Sequence, residues 1–270
     1  MKARYVDAHC HIQFEDYAHD EAEIIEQMKK DAVAGIVVGT GLESSEKAIA
    51  LAEKYEHLFA SVGLHPNHAD EPFDVEVFRT LASHPKVVAI GECGLDFFRP
   101  AEVNDAVKDK QMELLQKHIE LAVSLDKPLI IHARPSKGTQ DAYHDLIAIL
   151  AKAKARHPNL RGDIHFFVGG IMEAEELIAL GFTVSFTAVI TFARDYDNVI
   201  RAVPLASILS ETDAPYVAPA SRRGQRNDPL AVEDVAAKIA SIRGEDPETV
   251  RVTLVENALR MFALSNVEAF

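Results

Sequence analysis

A chain of 270 residues with 48% apolar and 26% charged residues, but only 13 Gly and 12 Pro, has a globular composition that excludes collagen and low-complexity disorder. Its 28 basic and 42 acidic residues leave a net charge of −14. That balance argues against non-specific coating of duplex DNA or anionic lipid, but it leaves room for a phosphate substrate at a local positive site or beside a bound metal. The two cysteines, Cys10 and Cys93, make no disulfide framework, no apolar run is long enough for a membrane span, and the opening MKARYVDAHCH lacks a signal-peptide core, so the expectation is a cytoplasmic protein.

Taken in order, short apolar runs alternate with segments of helical period. Runs rich in Val, Ile and Phe at 5–9, 35–41, 58–64, 87–92, 128–132, 163–167, 182–186 and 208–212 predict strands. Their continuous apolarity predicts parallel pairing with helices covering the sheet. The first helix, 20–32, has a candidate cap at Asp20 and carries Ile24, Ile25, Met28 and Ala32; Ser44 and Ser45 are candidate caps for 46–55. Segment 74–83 follows, and 105–125 is a long helix with Met112, Leu115, Ile119 and Ala122 on one stripe. Helices 141–156, 172–180, 196–203 and 232–243 continue the series, and 247–264 adds a last one with Pro247 at an early position. Eight strand–helix units, with strand starts roughly 20 to 40 residues apart, predict an α/β protein: a single (β/α)8 TIM barrel over 1–270 with an extra C-terminal helix. A doubly wound open sheet normally places a Gly-rich phosphate loop after its first strand; His9-Cys10-His11 stands there instead.

The C-terminal ends of barrel strands form the mouth where active sites are built. That register collects His9 and His11, His65 in GLHP, Glu92 in GECGLD, His132 in IIHAR, His165 in DIHFF, and Glu211-Thr212-Asp213. His9 and His11 stand two apart on a strand, so both imidazoles face one way and can reach one cation. Each residue alone has an ordinary structural explanation, such as a strand-end polar group, a core imidazole bonded to backbone, or a turn Asp. Together, His9, His11, His132, His165, Glu92 and Asp213 fit Zn, Mn, Ni, Co or Fe, and less exclusively Mg. Six candidate ligands exceed one four-coordinate ion, which points to two divalent ions, a carboxylate between them and a hydrolytic water. Asp213 is placed to accept a proton from that water. The remaining histidines, His19, His57, His68, His84, His118, His144 and His157, are expected on the surface, and Cys10 and Cys93 in the core on the opposite face from the ligands.

In sequence the chain resembles the TatD-like metal-dependent deoxyribonucleases of the amidohydrolase-type barrel superfamily. The resemblance runs through VDAHCH, SVGLHP, AIGECGLDFF, the stretch from Gln111 to PLIIHAR, the His165 segment, LSETDAPYVAP, RGQRNDP and ENALRMF. It implies that His9, His11 and Asp213 hold a first metal, Glu92 bridges, and His132 and His165 hold a second. It further implies that Asp213 is the general base, that His65 contacts the scissile phosphate and that Glu211 orients a ligand or water. Many amidohydrolase relatives bridge with a carboxylated Lys; here the position is Glu92, and Lys86 and Lys127 both precede their strands. The chain departs from the family pattern at Phe166-Phe167-Val168 after His165, at Ala188 and at Arg222, which leaves every candidate ligand intact but bears on substrate preference.

The family implies DNA as substrate, typically attacked 3′ to 5′ on single strands. Independently, Arg99, Arg134, Lys137, Arg222, Arg223 and Arg226 fall in loops after strands, a local basic cluster within an acidic chain, with Phe97, Phe98 and Tyr216 available to stack on bases. Arg134, Arg223 and Arg226 are the candidate phosphate contacts, with Glu211 also at the substrate site. The acidic remainder favours DNA strand ends or short oligonucleotides over a long duplex track. Two alternatives stay open: hydrolysis of a carbonyl ester or amide, including an aminoacyl-tRNA ester, and a non-catalytic metal-binding scaffold.

Overall fold

In the computed structural model, which describes residues 2–99, 103–264 and 267–269, the apolar runs become one eight-stranded parallel sheet. After a short β1 (Lys2–Ala3), the barrel strands are β2 (Tyr5–Cys10), β3 (Val33–Val38), β4 (Leu58–Val62), β5 (Val87–Asp96), β6 (Leu129–Arg134), β7 (Gly162–His165), β8 (Phe182–Phe186) and β9 (Ile208–Ser210). They are hydrogen-bonded in chain order, every pair parallel. The seam between first and last closes beyond the regular strands, where Asp213 N donates to His9 O (2.9 Å) and His11 N to Ala214 O (2.8 Å). Between and after the strands lie α1 (Glu21–Lys30), α2 (Leu42–Lys54), α3 (Val75–Ala82), α4 (Asp105–Leu125), α5 (Asp141–Arg156), α6 (Ile171–Ala179), α7 (Asp197–Ala202), α8 (Val232–Arg243) and α9 (Pro247–Phe262). Short β10 (Glu268–Ala269) returns to pair with β1. Among the described residues no helix is long and apolar enough to cross a membrane.

Strand alternation sorts the core into two layers. Val33, Val37, Leu58, Ala60, Val62, Leu129 and Ile131 pack with the helices in the larger layer. The alternate residues Ala34, Ile36, Val38, Phe59 and Ile130 join Val6, Ala8 and Leu209 in a second cluster with Val255, Ala258, Met261 and Phe262 of α9. The extra C-terminal helix therefore completes the core. Lys86 and Lys127 spend their ammonium groups on backbone carbonyls at the strand N-termini, Lys86 on Tyr55, Glu56 and Leu58, and Lys127 on Val87, far from Glu92 in strand register.

Three expectations need correction. Strand β5 runs four residues past its predicted end, because Cys93, Gly94, Leu95 and Asp96 continue the ladder against Ile131 to Arg134. Ser44 lies inside the first turn of α2, where its Oγ accepts from Thr40 N (2.8 Å) and Gly41 N (2.9 Å). His57 and His118 are buried, each spending ring nitrogens on backbone groups. The two cysteines lie in the core as expected, with thiols directed at Ile36 O and Ile130 O.

Candidate active site

Five imidazoles converge on the carboxylate of Glu92, and its two oxygens divide them. Oε2 lies 3.5 Å from His9 Nε2 and 3.8 Å from His11 Nε2. Oε1 lies 3.3 Å from His65 Nε2, 3.1 Å from His132 Nδ1 and 3.2 Å from His165 Nε2. Asp213 adds Oδ1 to the first group, 3.4 Å from His11 Nε2 and 3.8 Å from His9 Nε2. The His9 and His11 Nε2 atoms are 3.0 Å apart and aimed at one place. Potential ligand atoms of His9, His11 and Glu92 form one compact set, those of His65, Glu92 and His132 another, and those of His9, His165 and Glu211 a third. This donor set, nitrogen and carboxylate oxygen buried in a barrel mouth, fits divalent cations without any thiolate.

Outer contacts orient these rings. His11 Nδ1 meets Val38 O (2.9 Å), and the His9 ring stacks on His165 at 3.8 Å between centroids. His132 Nε2 meets Asp96 Oδ2 (3.1 Å), and His165 Nδ1 lies 3.3 Å from Glu211 Oε1. Glu211 in turn accepts from Phe166 N (2.6 Å), a residue with φ of 47°. Asp213 also sits in the left-handed region, at φ 52°. Such conformations gather at functional sites.

Charge is set by competition between burial and neighbours. Burial raises Glu92, but His65 and His165 outweigh it and hold the carboxyl well below the usual range. Burial likewise opposes ionisation of Asp213, which His11, His165 and His9 nonetheless hold low. Burial pulls His65 down to about 4 and lowers His9. Against burial, Asp96 and Glu92 raise His132, and Glu211 and Glu92 raise His165.

Apart from the fully buried His9, the group lines the floor of a cavity of about 530 Å3 whose walls include Phe14, Phe98, Arg99, Arg134, Lys137 and Tyr216. Of the three candidate phosphate contacts, Arg134 lines this cavity. Arg226 is bound to Asp20 and the Asp16 carbonyl over the Tyr17 ring, and Arg223 lies over Phe192; neither lines the cavity. Asp20 has claimed Arg226, and the ring on which Arg223 rests lies away from the cavity. Glu211 is fully buried, touches the His165 ring and the Phe166 backbone amide, and does not line the cavity. Phe97 is buried too, whereas Phe98 and Tyr216 remain half exposed on the cavity wall. His65 Nε2 stands 3.3 Å from Glu92 Oε1, close to the 3.1 Å of His132 Nδ1, so the geometry suits it to the second donor set.

Asp96 was missed. Its Oδ2 meets His132, its Oδ1 accepts from Phe98 N and Arg99 N (2.9 Å each), and its backbone is held by Gln111 on both sides. On the extended β5, residues 92, 94 and 96 alternate onto one face, so Asp96 joins Glu92 only because the strand continues past its expected end at 92.

A closed β/α barrel with histidines and carboxylates at its strand C-termini is the architecture of metal-dependent hydrolases, and comparison with known proteins narrows the class. The sequence matches the family described as TatD related DNase over residues 6–263. It is 34% identical to the uncharacterized metal-dependent hydrolase YcfH of Escherichia coli (strain K12), over 95% of each chain. It is 33% identical to the 3′-5′ ssDNA/RNA exonuclease TatD of Cronobacter sakazakii, over 95% of this chain and 97% of that one. The crystal structure of YjjV, a TatD homolog from Escherichia coli, superposes with a TM-score of 0.87 at 31% identity, covering 97% and 99% of the two chains. The chain belongs to the TatD family of metal-dependent hydrolases.

Proposed function

We propose that the protein is a metal-dependent deoxyribonuclease that removes nucleotides from the 3′ end of single-stranded DNA. The observation that carries this reading is the division of Glu92 between two imidazole groups on the floor of a cavity with basic and aromatic walls. His9, His11, Glu92 and Asp213 would hold one divalent ion, and Glu92, His132 and His165 a second. Bound there, two ions would supply an activated water and neutralise the charge that develops on a phosphodiester. Asp213, held anionic by its imidazole neighbours, accepts the proton lost from the attacking water. His65 lies beside Glu92 on the cavity wall, within reach of a phosphate oxygen, and Arg134 offers a planar fork to the next phosphate. The relative named as an exonuclease supports the substrate class.

The test is hydrolysis of a short single strand labelled separately at its 5′ and 3′ ends, with Mg, Mn or Zn, beside Asp213→Asn. Stepwise shortening of the 5′-labelled strand, reduced at least about a thousandfold in the variant, is the expected result. Undiminished turnover by Asp213→Asn overturns the base assignment. No cleavage by metal-replete protein, with turnover of an aminoacyl or simple carboxylic ester, replaces the phosphodiester with a carbonyl substrate.

A further inference from the structure

The rim of the active-site cavity is electrostatically two-sided. The end of β6 and the loops after β5 and β6 contribute Arg134, Arg99 and Lys137, with Phe98 among them and Arg99 Nε 3.7 Å from Asp96 Oδ2. The Arg134 guanidinium lies over the Phe98 ring, 4.2 Å from its centroid, and the ring keeps 48% of its surface exposed. On the other side, a recess of about 300 Å3 adjoins the cavity at Phe14, Thr40 and His68. Its wall carries Glu15, Glu43 and Glu71 against a single Lys47, with Glu43 paired to Lys47 and Glu71 to His68 at 2.8 Å each.

We propose that a single-stranded polynucleotide held at the active site leaves it across the β5 and β6 loops, one base stacked on Phe98 and its phosphates passing Arg134, Lys137 and Arg99. This path rests on the phosphodiesterase reading and adds to it a direction and a stacking platform. A strand carrying one negative charge per nucleotide is repelled by the recess at Glu15, Glu43 and Glu71 and attracted by the opposite rim. Aromatic stacking tolerates any base, which suits an enzyme that must advance along a sequence. The platform is also pre-organised: Asp96 Oδ1 fixes the backbone of Phe98 and Arg99 while Oδ2 of the same carboxylate holds His132.

Binding separates this path from the chemistry. The parent is Asp213→Asn with metal added, and the probe is a 5′-fluorescein single strand of about 12 nucleotides followed by anisotropy over a salt series. Adding Phe98→Ala or Arg134→Gln to the parent weakens binding about tenfold, with Phe98→Tyr restoring it, and Arg134→Gln flattens the log–log salt slope by about 0.7. Glu43→Lys and Glu71→Lys on the opposite rim change affinity less than about twofold. Melting temperatures equal to the parent's identify the variants that are folded; Phe98 and Arg134 lie at the surface of the cavity, so both substitutions leave the core intact. A parent that binds while Phe98→Ala and Arg134→Gln bind equally well overturns the path alone. Tightening by Glu43→Lys or Glu71→Lys that exceeds the loss from Arg134→Gln moves the strand to the other side and also overturns it. A parent that binds no oligonucleotide, when the unsubstituted metal-loaded protein neither binds nor shortens it, overturns the phosphodiesterase reading and the path together.

Discussion

His118 shows how a residue outside the site can set the position of one within it. Its Nδ1 meets Leu114 O (2.8 Å) and its Nε2 accepts from Leu64 N (3.0 Å), one residue before His65, while its ring packs on Phe73. An imidazole that accepts at Nε2 must be neutral, and burial accordingly pulls His118 from the ordinary 6.5 down to about 4. The sign of the stability effect follows from this depression. In the unfolded chain His118 takes up a proton as pH falls below about 6.5, whereas the folded protein resists until about 4. The stabilisation from keeping the ring neutral is whole above pH 6.5 and is lost as pH falls towards 4, by up to about 3 kcal/mol. His118→Gln, which retains an acceptor for Leu64 N, should flatten the decline measured by urea unfolding between pH 7 and 4 relative to the parent. Equal slopes in the two proteins would remove His118 from the account. Sequence alone put His118 and His57 on the surface because a histidine on a helix or beside a turn carries no mark of burial. What buries them is the supply of backbone partners from other elements, Leu64 for His118 and Ile25 for His57.

At the level of elements, the strands were legible because parallel, doubly covered strands are apolar throughout, and the candidate ligands because they interrupt that apolarity at one end of it. The helix boundaries at 105–125, 141–156 and 232–243 coincide with those predicted. The far end of β5 was not legible, since Gly91 and Gly94 suggest a turn in isolation. In the barrel Gly94 remains in the ladder opposite His132 at φ 136°, where a Cβ would lie 2.0 Å from His132 O. Glycine is required twice over there, by conformation and by close approach. Gly94→Ala should therefore cost at least about 2 kcal/mol and displace His132 from Glu92, so that thermal melting falls and metal content after dialysis falls with it. A variant with parental melting and metal content would show that β5 and β6 can separate without disturbing the site. Side-chain destinations across loops were the least legible part. Arg134 and Arg226 look equivalent as loop cations, yet Arg134 rests on Phe98 at the cavity while Asp20, more than two hundred residues away in sequence, has taken Arg226.

For the whole molecule, the site and the closure of the barrel are the same place. The seam is made by the backbone of residues 9–11 and 213–214, and His9, His11 and Asp213 project from that backbone towards Glu92 on the fourth barrel strand. Cations held among them would tie the first strand to the last and both to the strands between. An ion that binds the folded chain and not the unfolded one stabilises by mass action, about 2.7 kcal/mol when free metal stands at a hundred times its dissociation constant. For a chain of this size that corresponds to a rise of about 5–10 °C in melting temperature. Chelation followed by dialysis should lower the melting temperature by about that amount, and restoring Zn or Mn should return it, with two equivalents taken up per chain. Glu92→Gln keeps the shape of the bridge but removes its negative charge and one of its two ligand oxygens, so it should lose most of the response to added metal while its chelated form melts close to the chelated parent. A parent that releases metal with no change in melting would show that the seam is held by its backbone hydrogen bonds alone. Uptake of a single equivalent would assign Glu92 to one cation and leave the second imidazole group to the substrate.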